Sequence, residues 1–241
     1  SKALIGVAPQ ENLLYKSLTC AENLDFFAQL YGLDRTTRQR QVRACLAAVA
    51  LSDRANAPVA ELSGGMQRRL NIAVALVHQP KLLILDEPTV GLDLEARTKL
   101  WELLRALRQQ GTTILLATHL LTEAEQLCDR LCILQAGRCL AMGSFTELRD
   151  RFVPACELAI VQTEEPQKAI ARAVALGYPY RRQQHDLVFW LPESLELSEL
   201  LAKFSEIALT SVARQPVRLE QIYQEALAHT VSQLPVETVE N

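Results

Sequence analysis

The sequence lacks several features that would settle its class at once. Its most apolar stretches, Ile72 to Val77, Leu82 to Leu85 and Ile114 to Ala117, fall far below the roughly 18 residues of a membrane span. If the protein serves a membrane, the span belongs to another subunit. No basic excess exists: 25 Lys and Arg face 28 Asp and Glu, a net charge of -3. That balance argues against nucleic acid as the main partner. The six cysteines, Cys20, Cys45, Cys128, Cys132, Cys139 and Cys156, are scattered with no C-x-x-C pair, so no zinc or redox motif is spelled. Reduced, buried thiols in a cytosolic protein are expected. The chain opens at Ser1 without a methionine and without a charged stretch leading into an apolar one, so no secretory signal is visible. Because Ala3 to Ala8 already reads as a buried strand, a missing leading segment is expected.

What is present is ordinary for a globular protein. A hydrophobic fraction of 49% with 22% charged residues excludes disordered and low-complexity readings. The 241 residues suit two modest domains.

Two orders of elements succeed one another. After the first strand, Thr19-Cys20-Ala21-Glu22 is a capping box. It opens a helix bearing Leu24, Phe27, Leu30 and Tyr31, and a second helix carries Val42, Cys45, Leu46 and Val49. The two form a helical subdomain over about 18–60. From Leu62 strands and helices alternate, which predicts a parallel sheet of βαβ units. Lys81 to Asp86 and Thr113 to Thr118 are its buried strands, and Leu94 to Gln110 is a helix with Leu100, Trp101, Leu104 and Leu107 inward. Two short strands then meet across Ala136-Gly137, and Ser144 to Glu147 is another capping box. Beyond Pro154 the order becomes β-α-β-β-α-β plus a final helix, the ferredoxin-like arrangement. A polar tail from Val231 is expected to fray.

The chemistry gathers in the first part. Lys81 to Pro88 is an apolar strand that delivers Asp86 and Glu87 at its C-terminal end, the edge where open α/β sheets hold ligands. Asp86 suits a phosphate-bound Mg²⁺ and Glu87 a general base. Strict alternation would send the two carboxylates to opposite faces, so both reach one site only if the strand stops there, and Pro88 helps to stop it. A solvated acidic turn is the alternative. Ser63-Gly64-Gly65 before a helix can bind an anion through backbone amides and the helix dipole, or can be a simple cap. His119 ends the next strand on the same sheet edge, as a site residue or a structural one. Gln10 ends the first strand and either reaches the metal or water or stays in a surface loop. Gly91-Leu92-Asp93 is a further element or a plain turn and cap.

Taken in order, Gln10, Leu62-Ser63-Gly64-Gly65-Met66-Gln67, Leu82 to Pro88, Gly91-Leu92-Asp93 and His119 resemble the nucleotide-binding subunits of ABC transporters over about residues 1 to 150. The resemblance implies a P-loop NTPase-type α/β sheet flanked by helices. It makes Gln10 the Q-loop glutamine, which also reaches the metal. Ser63, Gly64, Gly65 and Gln67 belong to the signature loop, acting in trans on a partner's nucleotide. Asp86 is the Walker B aspartate at the Mg²⁺, Glu87 the catalytic base, Asp93 the D-loop aspartate and His119 the switch histidine. The implied cofactors are ATP and Mg²⁺. The implied partners are a second ATPase subunit, in a homo- or heterodimer, and separate transmembrane permease subunits, with the chain peripheral at the cytoplasmic face. No nucleic acid is expected.

None of the nine glycines precedes a lysine, so the G-x-x-x-x-G-K-[ST] phosphate loop is absent. A truncated sequence explains this better than a degenerate site, because Glu87 and His119 are both kept. The chain alone is then expected to be an inactive piece of an ATPase. The Gly91-Leu92-Asp93 form and the Met66 to Arg69 run look like subunits of drug, lipid and polysaccharide exporters, which often carry an accessory C-terminal domain, here 155–230, with 231–241 as tail. The competing functions are a non-transport ABC-type ATPase and a non-hydrolysing regulatory subunit.

Overall fold

The computed structural model describes residues 4–153, 155–183 and 185–231. The chain divides into two compact units, Ser1–Cys128 and Asp129–Asn241.

The first unit runs β1 (Ile5–Ala8), α1 (Cys20–Leu30), α2 (Arg35–Ala48), α3 (Gly64–Leu76), β2 (Leu82–Asp86), α4 (Leu94–Gln109), β3 (Thr113–Ala117) and α5 (Leu121–Leu127). Helix α1 begins where its capping box dictates. The Thr19 amide donates to Glu22 Oε2 at 2.7 Å, and the Glu22 amide to Thr19 Oγ1 at 3.2 Å, so two otherwise unpaired donors are satisfied. Asp34 starts α2 by accepting from the Thr36 and Thr37 amides. The three strands are parallel in the order β1-β2-β3. Glycine is required at position 6, since a Cβ there would lie 2.1 Å from the Ala75 carbonyl of α3; β1 can sit on α3 only without a side chain.

Alternation gives that sheet two unlike faces. Ala8, Leu83 and Leu85 are fully buried in a core shared with Leu24, Leu51, Leu70, Ile72, Leu100 and Leu104. Each of the leucines and the isoleucine contributes about 1.5–3 kcal/mol on burial. On the other face Val7, Ile84 and Leu115 lie in one register row, with Val7 52% and Leu115 58% exposed. Trp101 and Leu107, expected inward on α4, are half-buried, while Leu100 and Leu104 carry the contact.

The second unit runs β4 (Leu131–Gln135), β5 (Arg138–Gly143), α6 (Phe145–Phe152), β6 (Glu157–Thr163), α7 (Pro166–Ala175), β7 (Tyr180–Gln183), β8 (Asp186–Leu191), α8 (Leu197–Lys203), β9 (Leu209–Pro216) and α9 (Leu219–Val231). Strands β4 and β5 form a hairpin turned by Ala136 (φ 47°) and Gly137 (φ 74°). The remaining strands form an antiparallel sheet in the order β7-β8-β6-β9, the sheet of a ferredoxin-like β-α-β-β-α-β unit. Its core joins Phe189, Leu191, Val161 and Ala159 to Ile170 and Leu200 of the helices and to Phe204, which caps α8, with Phe189 and Phe204 stacked 5.3 Å apart. Strand β8 is buried continuously from Leu187 to Leu191.

The division between units falls earlier in the chain than the sequence boundary at 150 to 155. Helix α6 packs against β5 and α9, and Phe152 meets His229 at 5.8 Å, so the hairpin and α6 group with the C-terminal elements. The tail expected from 231 onward lies, after Val231, outside the described residues. The cysteine expectation needs a correction. Cys20 and Cys45 are buried and Cys128 is half-buried, but Cys132, Cys139 and Cys156 are exposed: the first two of these stand on the β4–β5 hairpin, which turns one face to solvent, and Cys156 immediately precedes β6.

Candidate active site

Strands β1, β2 and β3 are parallel, so their C-terminal ends share one edge, and the carboxylates, the histidine and the Gln10 loop all extend from it. Asp86 ends β2 opposite Ala117 of β3. Glu87 then adopts φ 50°, a left-handed conformation uncommon for a side-chain-bearing residue. This backbone reversal interrupts strand alternation immediately after Asp86. The Glu87 amide donates to the Ala117 carbonyl at 2.8 Å, which holds the turn against the end of β3.

Glu87 and His119 meet directly. Glu87 Oε1 accepts from the His119 backbone amide at 2.9 Å and lies 2.7 Å from His119 Nδ1. The glutamate side chain is 17% exposed and the histidine 68%. The second oxygen, Glu87 Oε2, is buried and has no hydrogen-bond partner among the described residues, and Thr89 Oγ1 is in the same condition. A buried acceptor without a donor is costly. A carboxylate with one oxygen fixed by histidine and the other free is therefore set up to take a proton or a polarised water. The Asp86 carboxylate is exposed beside it. Among the described residues no three His, Cys, Asp or Glu side chains gather as a metal cage. One carboxylate at a strand end fits a hard cation such as Mg²⁺, which brings its own waters and phosphate ligands.

The other expected residues act more locally. Ser63 caps α3, its Oγ accepting from the Met66 amide at 3.3 Å, and Gly64 is exposed with open space around it. Gly65 lies against the Gly91-Leu92 turn, where a Cβ would stand 3.3 Å from Leu92, so the loop and the turn are packed together. The Gln67 side chain points away from a ligand role, its Nε2 donating to the Leu62 and Val59 carbonyls at 3.1 and 3.3 Å. Asp93 caps α4 through the Ala96 amide at 2.8 Å. Gln10 lies in a bend beyond β1 with an exposed side chain.

Sequence reasoning passed over Arg68. It is 5% exposed and donates to four carbonyls, those of Pro9, Gln10, Asp86 and Pro88, while Asn71 also donates to Pro9. Burial pulls its guanidinium below the usual arginine range, and the nearby Asp86, Glu87 and Glu123 charges oppose that shift. The arginine thus fastens the Gln10 bend and the carboxylate turn to α3. A signal existed: Arg68 shares a helix face with Asn71, Ile72 and Ala75, which is an odd place for a charge.

Residues 1–90 match the family model described as ABC transporter. A Nod factor export ATP-binding protein I of Cupriavidus metallidurans is 37% identical over 219 residues, covering 91% of this chain and 71% of that protein. The Rhizobium etli protein of the same name is 43% identical over 68% of this chain and 52% of its own length. The linearmycin resistance ATP-binding protein of Bacillus subtilis is 42% identical over 63% of this chain and 49% of its length. The chain thus spans about half the length of several curated relatives it matches. Among solved structures, an ATP binding subunit of an ABC transporter aligns with TM-score 0.58 and 34% identity over 63% of each chain. A dimeric ATP-binding cassette in a post-hydrolysis state with ADP and Pi aligns with TM-score 0.54 and 28% identity, over 58% of this chain and 62% of that one. With a parallel sheet that brings Asp86, Glu87 and His119 to one edge, and with a 37% identical relative matched over 71% of its length, the chain belongs to the ATP-binding proteins of the ABC transporter family.

Proposed function

We propose that the chain is the ATP-hydrolysing part of an exporter subunit that works as a dimer on separate membrane permeases at the cytoplasmic face. The observation that carries this reading is the Glu87–His119 pair, with Oε1 held at 2.7 and 2.9 Å and Oε2 left unpaired. The names of the relatives, Nod factor export and linearmycin resistance ATP-binding proteins, support export. The dimeric cassette with ADP and Pi supports a shared nucleotide site. Residues 1–150 would be the ATPase part, with a helical subdomain over about 18–60, and 155–230 an accessory domain.

In this mechanism bound ATP with Mg²⁺ supplies the phosphoryl group and neutralises its developing charge. Glu87 accepts the proton of the attacking water at Oε2. His119 fixes the carboxylate by donating from its main-chain amide and from Nδ1, which leaves Nε2 directed elsewhere, toward a phosphate oxygen when the ring is protonated. Asp86 supports the cation. Gln10, tied through its carbonyl to Arg68, presents its amide from the bend. Ser63, Gly64 and Gly65 offer a helix N-terminus to the nucleotide of the partner subunit. Gln67 contributes by shaping that loop, and Asp93 by capping α4 beside it.

The phosphate loop supplies most of the donors to the β and γ phosphates, so titration of this chain with ATP and Mg²⁺ is expected to show no appreciable binding. The same chain preceded by a strand, a G-x-x-x-x-G-K-[ST] loop and its helix should bind ATP and dimerise on size-exclusion chromatography. Micromolar binding by the chain alone, or no ATP-dependent dimer in the extended one, would overturn the proposal.

A further inference from the structure

We propose that Cys132 and Cys139 form a reversible thiol–disulfide site on the β4–β5 hairpin, oxidised by exchange with low-molecular-weight disulfides. The two sulfurs lie 3.1 Å apart and both residues are exposed. A disulfide bond about 2.05 Å long needs them to close by only about 1 Å.

The juxtaposition comes from an irregularity in the hairpin. Cys132 faces Met142 and Ile133 faces Ala141, but Leu134 faces Cys139, so Leu140 is an extra residue in β5. Such a bulge raises the local twist. Without the extra residue Cys139 would pair with Gln135 and point to the opposite face from Cys132; the bulge pairs it with Leu134 instead, which puts both sulfurs on the outer face, beside the exposed Leu134 and Met142. Cys139 Sγ also approaches the Ala141 carbonyl at 3.6 Å. Exposure of both sulfurs opens the pair to exchange in either direction, which marks a labile bond and not a structural staple.

Either sulfur can donate in the contact between them, so the same two steps run from either side. The hydrogen bond with Cys139 is the main cause that raises the Cys132 thiol above the usual cysteine range. One of the two thiols loses its S–H proton to water and attacks the small disulfide as thiolate, and one small thiolate leaves. The other thiol then gives up its proton and attacks the protein sulfur of the mixed disulfide, expelling the second small thiolate. The protein has lost two protons and two electrons, and the small disulfide has become two thiols.

The test equilibrates the chain in glutathione buffers graded from reduced to oxidised, traps free thiols by alkylation and maps the peptides by mass spectrometry. The expected result is joint loss of alkylation at Cys132 and Cys139, with their peptides linked, lighter by two hydrogen atoms and free of glutathione, and full recovery with dithiothreitol. In Cys132→Ser the partner sulfur is gone, so a stable glutathione adduct should accumulate on Cys139. The proposal is overturned if both thiols stay alkylatable in the most oxidised buffer, if each carries its own adduct, or if only Cys156 reacts. The unsubstituted chain alone decides this if the variant is poorly folded.

Discussion

The two units bury their sheets in opposite ways. In the second, β8 is covered from Leu187 to Leu191 although its sheet is antiparallel, a kind that commonly leaves one face wet. In the first, a parallel sheet of the kind usually covered on both sides keeps Val7 and Leu115 more than half exposed. Alternation places Leu82, Ile84 and Asp86 on that same open face, so the uncovered apolar row runs into the carboxylate edge. The first unit leaves one sheet face open and carries the proposed site at the end of that face; the second closes a core around β8.

Substitutions at four positions test that contrast. Glu87→Gln in a chain carrying a phosphate loop removes the base but keeps the side chain's shape. Turnover should fall by ~10²–10⁴-fold, with ATP-dependent dimerisation retained and the melting temperature little changed. Phosphate release at the parent rate would dismiss Glu87 as base. Phe189→Ala in the closed core should cost about 3–5 kcal/mol, seen as an early urea transition of the second unit. Arg68→Leu leaves four carbonyls without their shared charged donor and should cost about 1.5–3 kcal/mol of the first unit's stability. Arg68→Lys should restore little of that loss, because an ammonium cannot span the fork. Leu115→Thr on the open face should change stability by no more than about 0.5 kcal/mol. A larger loss in denaturant titration would mean that this face is covered after all.

What could be read in the sequence was local. The capping boxes at Thr19 and Ser144 begin α1 and α6 at the expected residues, because each is a contact three residues long. The β-α-β-β-α-β order beyond Pro154 is likewise the observed one, since its strands are short runs set between turn residues. The candidate site residues Asp86, Glu87 and His119 stand at or just beyond the ends of β2 and β3, as motif spacing implies. The rest depended on distant partners. Arg68 reaches Pro9, 59 positions away, and no spacing rule encodes a side chain that bonds to carbonyls. Nor could the left-handed turn at Glu87 be read, since proline after it restricts the backbone without choosing that basin. The cysteines looked scattered because a bulge, not a motif, brings two of them together.

Arg68 has a mechanical meaning beyond stability. Its guanidinium is anchored one turn into α3, whose first residues are Gly64 and Gly65, and it grips backbone on both sides of the sheet edge. A tilt of α3 therefore cannot be absorbed at its own tip. Either it drags the Gln10 bend and the Asp86 to Pro88 turn along as one rigid body, or it must break hydrogen bonds made by a buried charge. A displacement of the glycine loop that keeps these hydrogen bonds must therefore carry the carboxylate turn with it.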